Sequence, residues 1–231
     1  MRARDVMTTQ VITIGPDATV LELAELLLRY RFSAVPVVGP KGELVGIVGE
    51  GDLLRRAEVG TERRRPWLLR VLTETETLAA DYVKSHARKV SDVMTKRVIT
   101  AAPETPLGEI ATLLERNRIK RVPIVQNGQL VGIITRANLV QAFAAMRKQP
   151  QAAVTADDAA IRDRLLARLR EEPWAHLWQI NVIVKDGVVD LWGTVSSGAE
   201  HAAVRVAAEN MPSVRGVNDH LVEQPIVGGA Y

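Results

Sequence analysis

The sequence predicts a mixed α+β protein that contains two copies of one small strand–helix unit and then a second, smaller domain. Three observations lead to this prediction. The chain repeats itself at an offset of 87 residues, its composition is that of a folded globular chain (47% hydrophobic, 25% charged), and a new helix–strand pattern begins after about residue 155. The aromatic content is only 4%, so we expect aliphatic cores.

The internal repeat carries most of this prediction. Matched positions extend over about 50 residues of each copy, and one residue is lost in a turn, after which the offset is 86. This extent of similarity indicates duplication of one supersecondary unit. The matched segments are Asp5-Val6-Met7-Thr8 with Asp92-Val93-Met94-Thr95, Val35-Pro36-Val37-Val38 with Val122-Pro123-Ile124-Val125, and Leu44-Val45-Gly46-Ile47-Val48 with Leu130-Val131-Gly132-Ile133-Ile134.

Each copy predicts the same order of elements. A short strand, Val11–Ile14 in the first copy, precedes a Gly-Pro-Asp turn in which Asp17 is a candidate helix N-cap. An amphipathic helix follows, and then two strands, Ala34–Val38 and Leu44–Val48, around a polar turn. A unit with one short three-stranded sheet exposes an apolar face, so we expect the two copies to pack about a pseudo-twofold axis.

The repeated residues resemble a known family. The pattern D-V-M-T, V-I-T, a proline, a helix, S-A-V-P-V-V and then G-x-L-V-G-I-V is similar to the CBS domain, here as a tandem pair over residues 1–145. The resemblance implies a regulatory module that binds AMP, ADP, ATP, S-adenosylmethionine or a related adenosyl ligand in a cleft between the repeats. It also implies a homodimer formed through the CBS helices.

The resemblance further implies two clefts, each of which takes residues from both copies. Lysine and arginine side chains suit a phosphate, and a hydroxyl at a helix start suits phosphate oxygens. Cleft one would use Thr13, Phe32, Ser33, Ala34, Lys120, Arg121, Thr135 and Asn138; cleft two would use Thr100, Ile119, Lys120, Arg121, Ser33, Ala34, Gly49 and Asp52.

Each cleft lacks one group of the family pattern. Asn138 stands where the pattern has an aspartate that accepts hydrogen bonds from both ribose hydroxyls, whereas Asp52 keeps that carboxylate. Gly49 stands where the other copy has the Thr135 hydroxyl. Because phosphate contacts dominate the binding of charged ligands, we favour cleft one; degenerate copies kept for packing are the alternative.

Between the repeats (residues 1–57 and 91–146) lies a helical basic insert, 58–90, with the run Arg63-Arg64-Arg65. Three interpretations of this insert stay open. It forms a solvated helical face, it covers a cleft or bridges two chains, or it contacts nucleic acid. Residues 1–150 hold 23 Lys and Arg against 16 Asp and Glu, and residues 151–231 hold 7 against 11. The acidic C-terminal part therefore argues against binding to anionic lipid or nucleic acid.

A linker, 147–154, leads to a second domain at 155–224, and residues 225–231 form a tail. Apolar periodicity in the domain predicts the order αββαβ, and the phrase I-N-V-I-V-K-D-G-V-V-D-L-W-G-T-V resembles the BON domain. That resemblance implies association with membranes, proteins or small ligands, without catalysis. Three tryptophans either fill its core or form a docking patch: Trp174, Trp178 and Trp192.

The residues argue against an enzyme. The chain has no cysteine, its four histidines are widely separated, and it contains no nucleophile-elbow, Walker A or dinucleotide-binding motif. CBS pairs occur inside inosine monophosphate dehydrogenase, but that enzyme needs a catalytic barrel and a cysteine. The opening residues lack a continuous apolar run, so we expect a cytoplasmic protein with no metal and no obligatory cofactor.

The leading interpretation is therefore a sensor that relays its ligand state to a protein partner through the BON domain or the dimer surface. Two alternatives remain at this stage. One is a nucleic-acid-binding protein that uses the arginine-rich insert, and the other is a structural or membrane-associated adaptor with non-functional clefts.

Overall fold

The computed structural model describes residues 1–54, 86–147 and 156–224. It is a mixed α+β fold, as predicted. The helices and strands of the duplicated region are α1 (Ala3–Val6), α2 (Val20–Tyr30), β1 (Ala34–Val38), β2 (Leu44–Gly49), α3 (Glu50–Leu53), α4 (Val90–Val93), α5 (Leu107–Arg116), β3 (Arg121–Gln126), β4 (Gln129–Thr135) and α6 (Arg136–Arg147).

The two repeats have the same element order, but each sheet is smaller than predicted. β1 pairs with β2 and β3 pairs with β4, and both sheets have two strands. In place of a third strand at Val11–Ile14, a single parallel bridge joins Ile14 to Val37, and its counterpart joins Ala101 to Ile124. Pairing does not continue past Ile14, since Gly15 and Pro16 follow at once and proline has no amide hydrogen to donate.

The N-cap of α2 also differs from the prediction. Thr19, and not Asp17, caps the helix, since the Thr19 hydroxyl accepts from the Glu22 amide at 3.1 Å and the Glu22 carboxylate accepts from the Thr19 amide at 2.6 Å. This reciprocal pair forms a capping box. Asp17 instead pairs with Lys89, whose Nζ lies 3.0 Å from Oδ1.

Asn127 and Gly128, a pair that is typical of two-residue hairpin turns, form such a turn between β3 and β4. Asn127 has φ 52° and Gly128 has φ 81°, the left-handed pair that a two-residue hairpin requires. Asp186 and Gly187, with φ 51° and 72°, make the same turn in the C-terminal domain.

The C-terminal domain has the predicted order αββαβ. β5 pairs antiparallel with β6, and β7 lies parallel to β6, which places β5 at an edge of the sheet β5-β6-β7. Alternate residues of the strands pack with both helices into a closed aliphatic core that includes Leu165, Leu191 and Val204. Its elements are α7 (Ala156–Arg170), β5 (Ile180–Lys185), β6 (Val188–Val195), α8 (Gly198–Glu209) and β7 (Gly216–Glu223).

The C-terminal domain contains a buried carboxylate in the first turn of α8. Glu200, 4% exposed, accepts hydrogen bonds from the Ser196 amide at 2.8 Å and from the His176 amide at 3.2 Å, and its other contacts are the Ser196 hydroxyl and the His176 ring. Burial raises the pKa of Glu200, but the hydrogen bonds from Ser196 and His176 outweigh burial and leave the pKa below its ordinary value.

The chain divides into two compact units that do not follow the sequence repeat. The larger unit comprises Met1–Val11, Ile99–Gln126 and Val131–Tyr231, and the smaller unit comprises Ile12–Val98 and Asn127–Leu130. The opening segment of each repeat therefore packs in the unit that holds the strands of the other repeat.

In each unit, a methionine from the opening segment of one repeat packs closely against a glycine in a strand of the other repeat. In the larger unit, a Cβ on Gly132 would lie 2.5 Å from the Met7 sulfur and 3.1 Å from the Thr8 carbonyl oxygen. In the smaller unit, a Cβ on Gly46 would lie 2.5 Å from the Met94 sulfur. Both positions require glycine because another side chain would displace the methionine.

Three predicted segments fall wholly or mostly outside the described residues: the basic insert, of which 58–85 is not described, the linker 147–154 except Arg147, and the tail 225–231. Within the described ranges, none of the helices combines the length and the apolar character that a membrane crossing requires.

Candidate functional site

The best-defined candidate residues of the larger unit lie where β4 ends and α6 begins. Asn138 accepts two hydrogen bonds at Oδ1, from the Thr135 amide at 2.8 Å and from the Thr135 hydroxyl at 2.7 Å. Its Nδ2 donates to the Val6 carbonyl at 3.3 Å, and the residue is 4% exposed. These three bonds fix the turn, which we call the Thr135 turn (residues 135–138).

The geometry changes the role that we expected for the Thr135 hydroxyl. A threonine hydroxyl has one proton, and here that proton is donated to Asn138. Thr135 therefore presents only acceptor lone pairs to a ligand in this arrangement, which suits a ribose hydroxyl better than a phosphate oxygen. The side chain of Thr135 is half-buried at the end of the strand.

The same geometry explains why asparagine suits position 138. The Val6 carbonyl oxygen faces the side chain, and only the amide nitrogen of asparagine can donate to it. A carboxylate at this buried position would set two acceptor oxygens against each other. Asn138 thus serves the packing of α1 as well as the turn.

Lys120 and Arg121 lie beside the Thr135 turn. The Arg136 amide donates to the Lys120 carbonyl at 3.4 Å, and Arg136 Nη2 donates to the Ile119 carbonyl at 3.2 Å. These bonds tie the start of β3 to the start of α6. The Lys120 side chain is exposed and that of Arg121 is half-buried, so the larger unit brings four of the predicted cleft-one residues together.

The smaller unit repeats this arrangement around Gly49. Asp52 Oδ2 accepts from the Gly49 amide at 3.0 Å, and the Glu50 amide donates to the Ser33 carbonyl at 3.0 Å, as Arg136 does to Lys120. A Cβ on Gly49 would overlap the Ser33 carbonyl oxygen and would lie 2.9 Å from the Ala34 Cα. A threonine hydroxyl therefore has no room at position 49 without movement of β1.

The remaining predicted residues have less specific surroundings. In the smaller unit, Thr13 is half-buried next to the Ile14 bridge, and Phe32 stacks on Tyr30 with ring centroids 5.9 Å apart and packs against the core. In the larger unit, Thr100 is exposed next to the Ala101 bridge.

Sequence reasoning missed one buried charged residue near the Thr135 turn. Arg162 of α7 is 4% exposed and donates from Nη2 to the Met7 carbonyl at 2.7 Å and from Nε to the Val182 carbonyl at 2.8 Å. Burial lowers the pKa of Arg162 to about 10, while the charges of Asp163 and Asp5 act in the opposite direction. The sequence gives no sign of this role, since Arg162 is one of four arginines in its helix.

Two of the tryptophans contribute to packing. Trp174 packs against the core of the C-terminal domain, and Trp192 packs against the cluster that includes Val6, Ile110 and Ile134. Trp178 is half-buried, with its ring edge-on to His176.

The duplicated hairpins, each with a proline-containing strand and a following T/G-x-x-N/D turn, define a tandem CBS pair. The CBS domain model matches residues 3–58 and 90–145, and the BON domain model matches residues 157–225. The chain belongs to the CBS domain family and carries a BON domain after the pair.

Relatives support this assignment over the CBS region. An uncharacterized protein of Methanocaldococcus jannaschii is 30% identical over 154 residues, which are 62% of this chain and 91% of that protein. The inosine-5'-monophosphate dehydrogenase of the same organism is 31% identical over 153 residues, but the match spans only 25% of that enzyme and 66% of this chain.

A solved structure is also similar. The crystal structure of CBSX2 in complex with AMP, a protein of Arabidopsis thaliana, superimposes with a TM-score of 0.55 at 28% identity and covers 63% of this chain and 98% of that one.

Proposed function

We propose that this chain is a regulatory ligand-sensing protein that binds an adenine nucleotide or a related adenosyl ligand at its CBS repeats. The observation that carries the proposal is the similarity to CBSX2, whose crystal structure contains AMP. The residues of the Thr135 turn fit such a ligand, because the turn offers an acceptor for a ribose hydroxyl beside the exposed cation Lys120.

Electrostatics favour a ligand with few phosphates. Lys120 and Arg136 are both exposed near the turn, while Arg121 is half-buried. Among the described residues at the turn, these two exposed cations match the charge of one phosphate group, and a bidentate contact by arginine would add direction to the binding. We therefore expect AMP or an adenosyl ligand to bind at least as well as ATP.

The proposed role is regulatory and not catalytic. The similarity to inosine-5'-monophosphate dehydrogenase spans a quarter of that enzyme, and this chain has no cysteine. The BON domain would then relay the ligand state to a protein partner in the cytoplasm. Binding shifts an arrangement only if the ligand favours one state over another, so the relay requires a difference between bound and free forms.

A homodimer is part of the proposal. Exposed apolar side chains occupy one face of α6, where Val140 is 67% and Phe143 is 64% exposed, and α2 exposes Leu21 and Leu28. Such helix faces suit contact with a second copy of the chain. Sedimentation of the wild type and of Phe143→Ser tests this: the proposal expects a dimer that the substitution weakens, and a monomeric wild type contradicts it.

Calorimetric titration with AMP, ADP, ATP and S-adenosylmethionine tests the proposed function. Saturable binding by the wild type, lost in Thr135→Ala and kept in Thr112→Ala, is the expected result. Thr112 is a suitable control because it is an exposed threonine on α5 whose hydroxyl donates to the Gly108 carbonyl within its own helix. If binding is lost in Asp52→Ala but kept in Thr135→Ala, the ligand site lies near Gly49 and Asp52. An absence of binding by all four ligands would refute the proposal.

A further inference from the structure

Three consecutive residues after the start of α1 contact three different parts of the larger unit. The Val6 carbonyl accepts from Asn138 in the Thr135 turn, at 3.3 Å. The Met7 carbonyl accepts from Arg162 in the BON domain, at 2.7 Å. Thr8 exchanges two backbone hydrogen bonds of 3.0 Å with Ile133 of β4. This junction, residues 6–8, lies between the candidate turn and the BON domain.

Arg162 is the BON residue that holds the junction. Its planar guanidinium donates at the same time to Met7 and to Val182 of the edge strand β5, so it fixes the distance between the two carbonyl groups. Because the side chain is 4% exposed, water cannot readily replace either bond. A displacement of the Met7 carbonyl must therefore be followed by Arg162 or must break a buried, charge-assisted bond.

Packing supports the same connection. α1 and α6 both contact β5, and Ile183 of β5 is buried in the cluster that contains Val6 and Ile134. Asn181, also on β5, donates to the Gln141 side chain of α6 at 2.8 Å. One face of the BON sheet is thus covered by the helices that the Thr135 turn positions.

We propose that Arg162 couples the ligand state of the Thr135 turn to the BON domain, through Asn138, Val6 and Met7. The proposal rests on the proposed function for the identity of the ligand, although the contacts themselves are independent of it. A ligand hydroxyl that bonds to Thr135 or Asn138 changes the bonds that Asn138 makes, and the Val6–Met7 segment carries this change to Arg162. By linkage, loss of the Arg162 contact must also change the affinity for the ligand.

Amide hydrogen exchange, measured by NMR on the ligand-free full chain, tests the contact. In Arg162→Met we expect the Thr135 amide to exchange roughly fivefold faster or more, with a smaller change at Val204 in the BON core. Arg164→Met is the matched control because Arg164 lies on the same helix and is exposed. Equal acceleration at Thr135 and Val204 would indicate a purely structural role and would overturn the proposal, as would no change at Thr135.

Arg162→Lys keeps the charge but not the planar two-carbonyl geometry, so it provides a milder variant if Arg162→Met does not fold. We expect an intermediate acceleration at Thr135, and a wild-type rate would overturn the proposal.

The second arm adds AMP. In the wild type, AMP should change the exchange of Ile183 on β5, and this change should be lost in Arg162→Met, whose affinity for AMP should differ from that of the wild type by roughly fivefold or more. Binding of AMP without any change at Ile183 would overturn the coupling. If AMP does not bind the wild type, the proposed function fails, while the ligand-free arm still decides whether Arg162 holds the Thr135 turn.

Discussion

Asn138→Asp, which restores the residue of the family pattern, should destabilise the larger unit. The substitution is nearly isosteric, but it removes the Nδ2 donor, which lies 3.3 Å from the Val6 carbonyl oxygen. Two acceptor oxygens would then face each other at a position that is 4% exposed. The hydrogen bonds from Thr135 favour the carboxylate and offset part of this cost.

The expected loss is about 2–3 kcal/mol in the free energy of unfolding at pH 7, the cost of a buried polar group that loses its partner. This corresponds to a fall of about 4–12 °C in Tm for a chain of this length. Burial and the Val6 oxygen raise the pKa of the introduced carboxyl above its unfolded value of about 3.9. The loss should therefore be absent at low pH, where both states are protonated, and should grow as the pH rises above about 4 until it passes the folded-state pKa.

Urea unfolding of the wild type and the variant between pH 4 and pH 8 measures this difference. Asn117→Asp is the control, since Asn117 is exposed and caps the C-terminal end of α5; it should lose under about 1 kcal/mol. Equal stability of Asn138→Asp and the wild type across the pH range would refute the reasoning, and so would a loss that grows on acidification.

Three further substitutions test other parts of the structure by urea or thermal unfolding. Gly132→Ala should lose about 1–3 kcal/mol because its Cβ would meet the Met7 sulfur at 2.5 Å. Gly108→Ala should lose nothing, since among the described residues its Cβ would meet no atom within 4 Å outside its own stretch of helix. Gly128→Ala should lose about 1–2 kcal/mol because φ is 81° there. Glu200→Gln should lose about 1–2 kcal/mol at neutral pH; because the native pKa of Glu200 lies below its ordinary value, the loss should shrink as the pH falls through that native pKa. A Gly132→Ala variant as stable as Gly108→Ala, a Gly128→Ala variant as stable as the wild type, or a pH-independent loss in Glu200→Gln would contradict the respective account.

The features that the sequence predicts well are local. Asn127-Gly128 and Asp186-Gly187 specify their turns through their own backbone preferences, and both pairs have the left-handed conformation that these residue types favour. The repeat likewise predicts the order of the elements, because each copy carries the same apolar periodicity.

The features that it predicts poorly depend on partners elsewhere in the chain. Val11–Ile14 has the composition of a strand, but only Ile14 finds a neighbour to pair with. The hydrogen bond from Asn138 to the Val6 carbonyl joins residues 132 positions apart, so the sequence does not indicate it. The role of Arg162 is equally hard to predict from the sequence, since its two acceptors, the carbonyls of Val182 and Met7, lie in other segments of the chain.

The proposed sensor role is tested most directly by titration of AMP into the isotope-labelled full chain, followed through backbone amide NMR resonances. The account predicts saturable shifts at Thr135 and Asn138. An absence of shifts at millimolar AMP, or shifts confined to the BON domain, would contradict it.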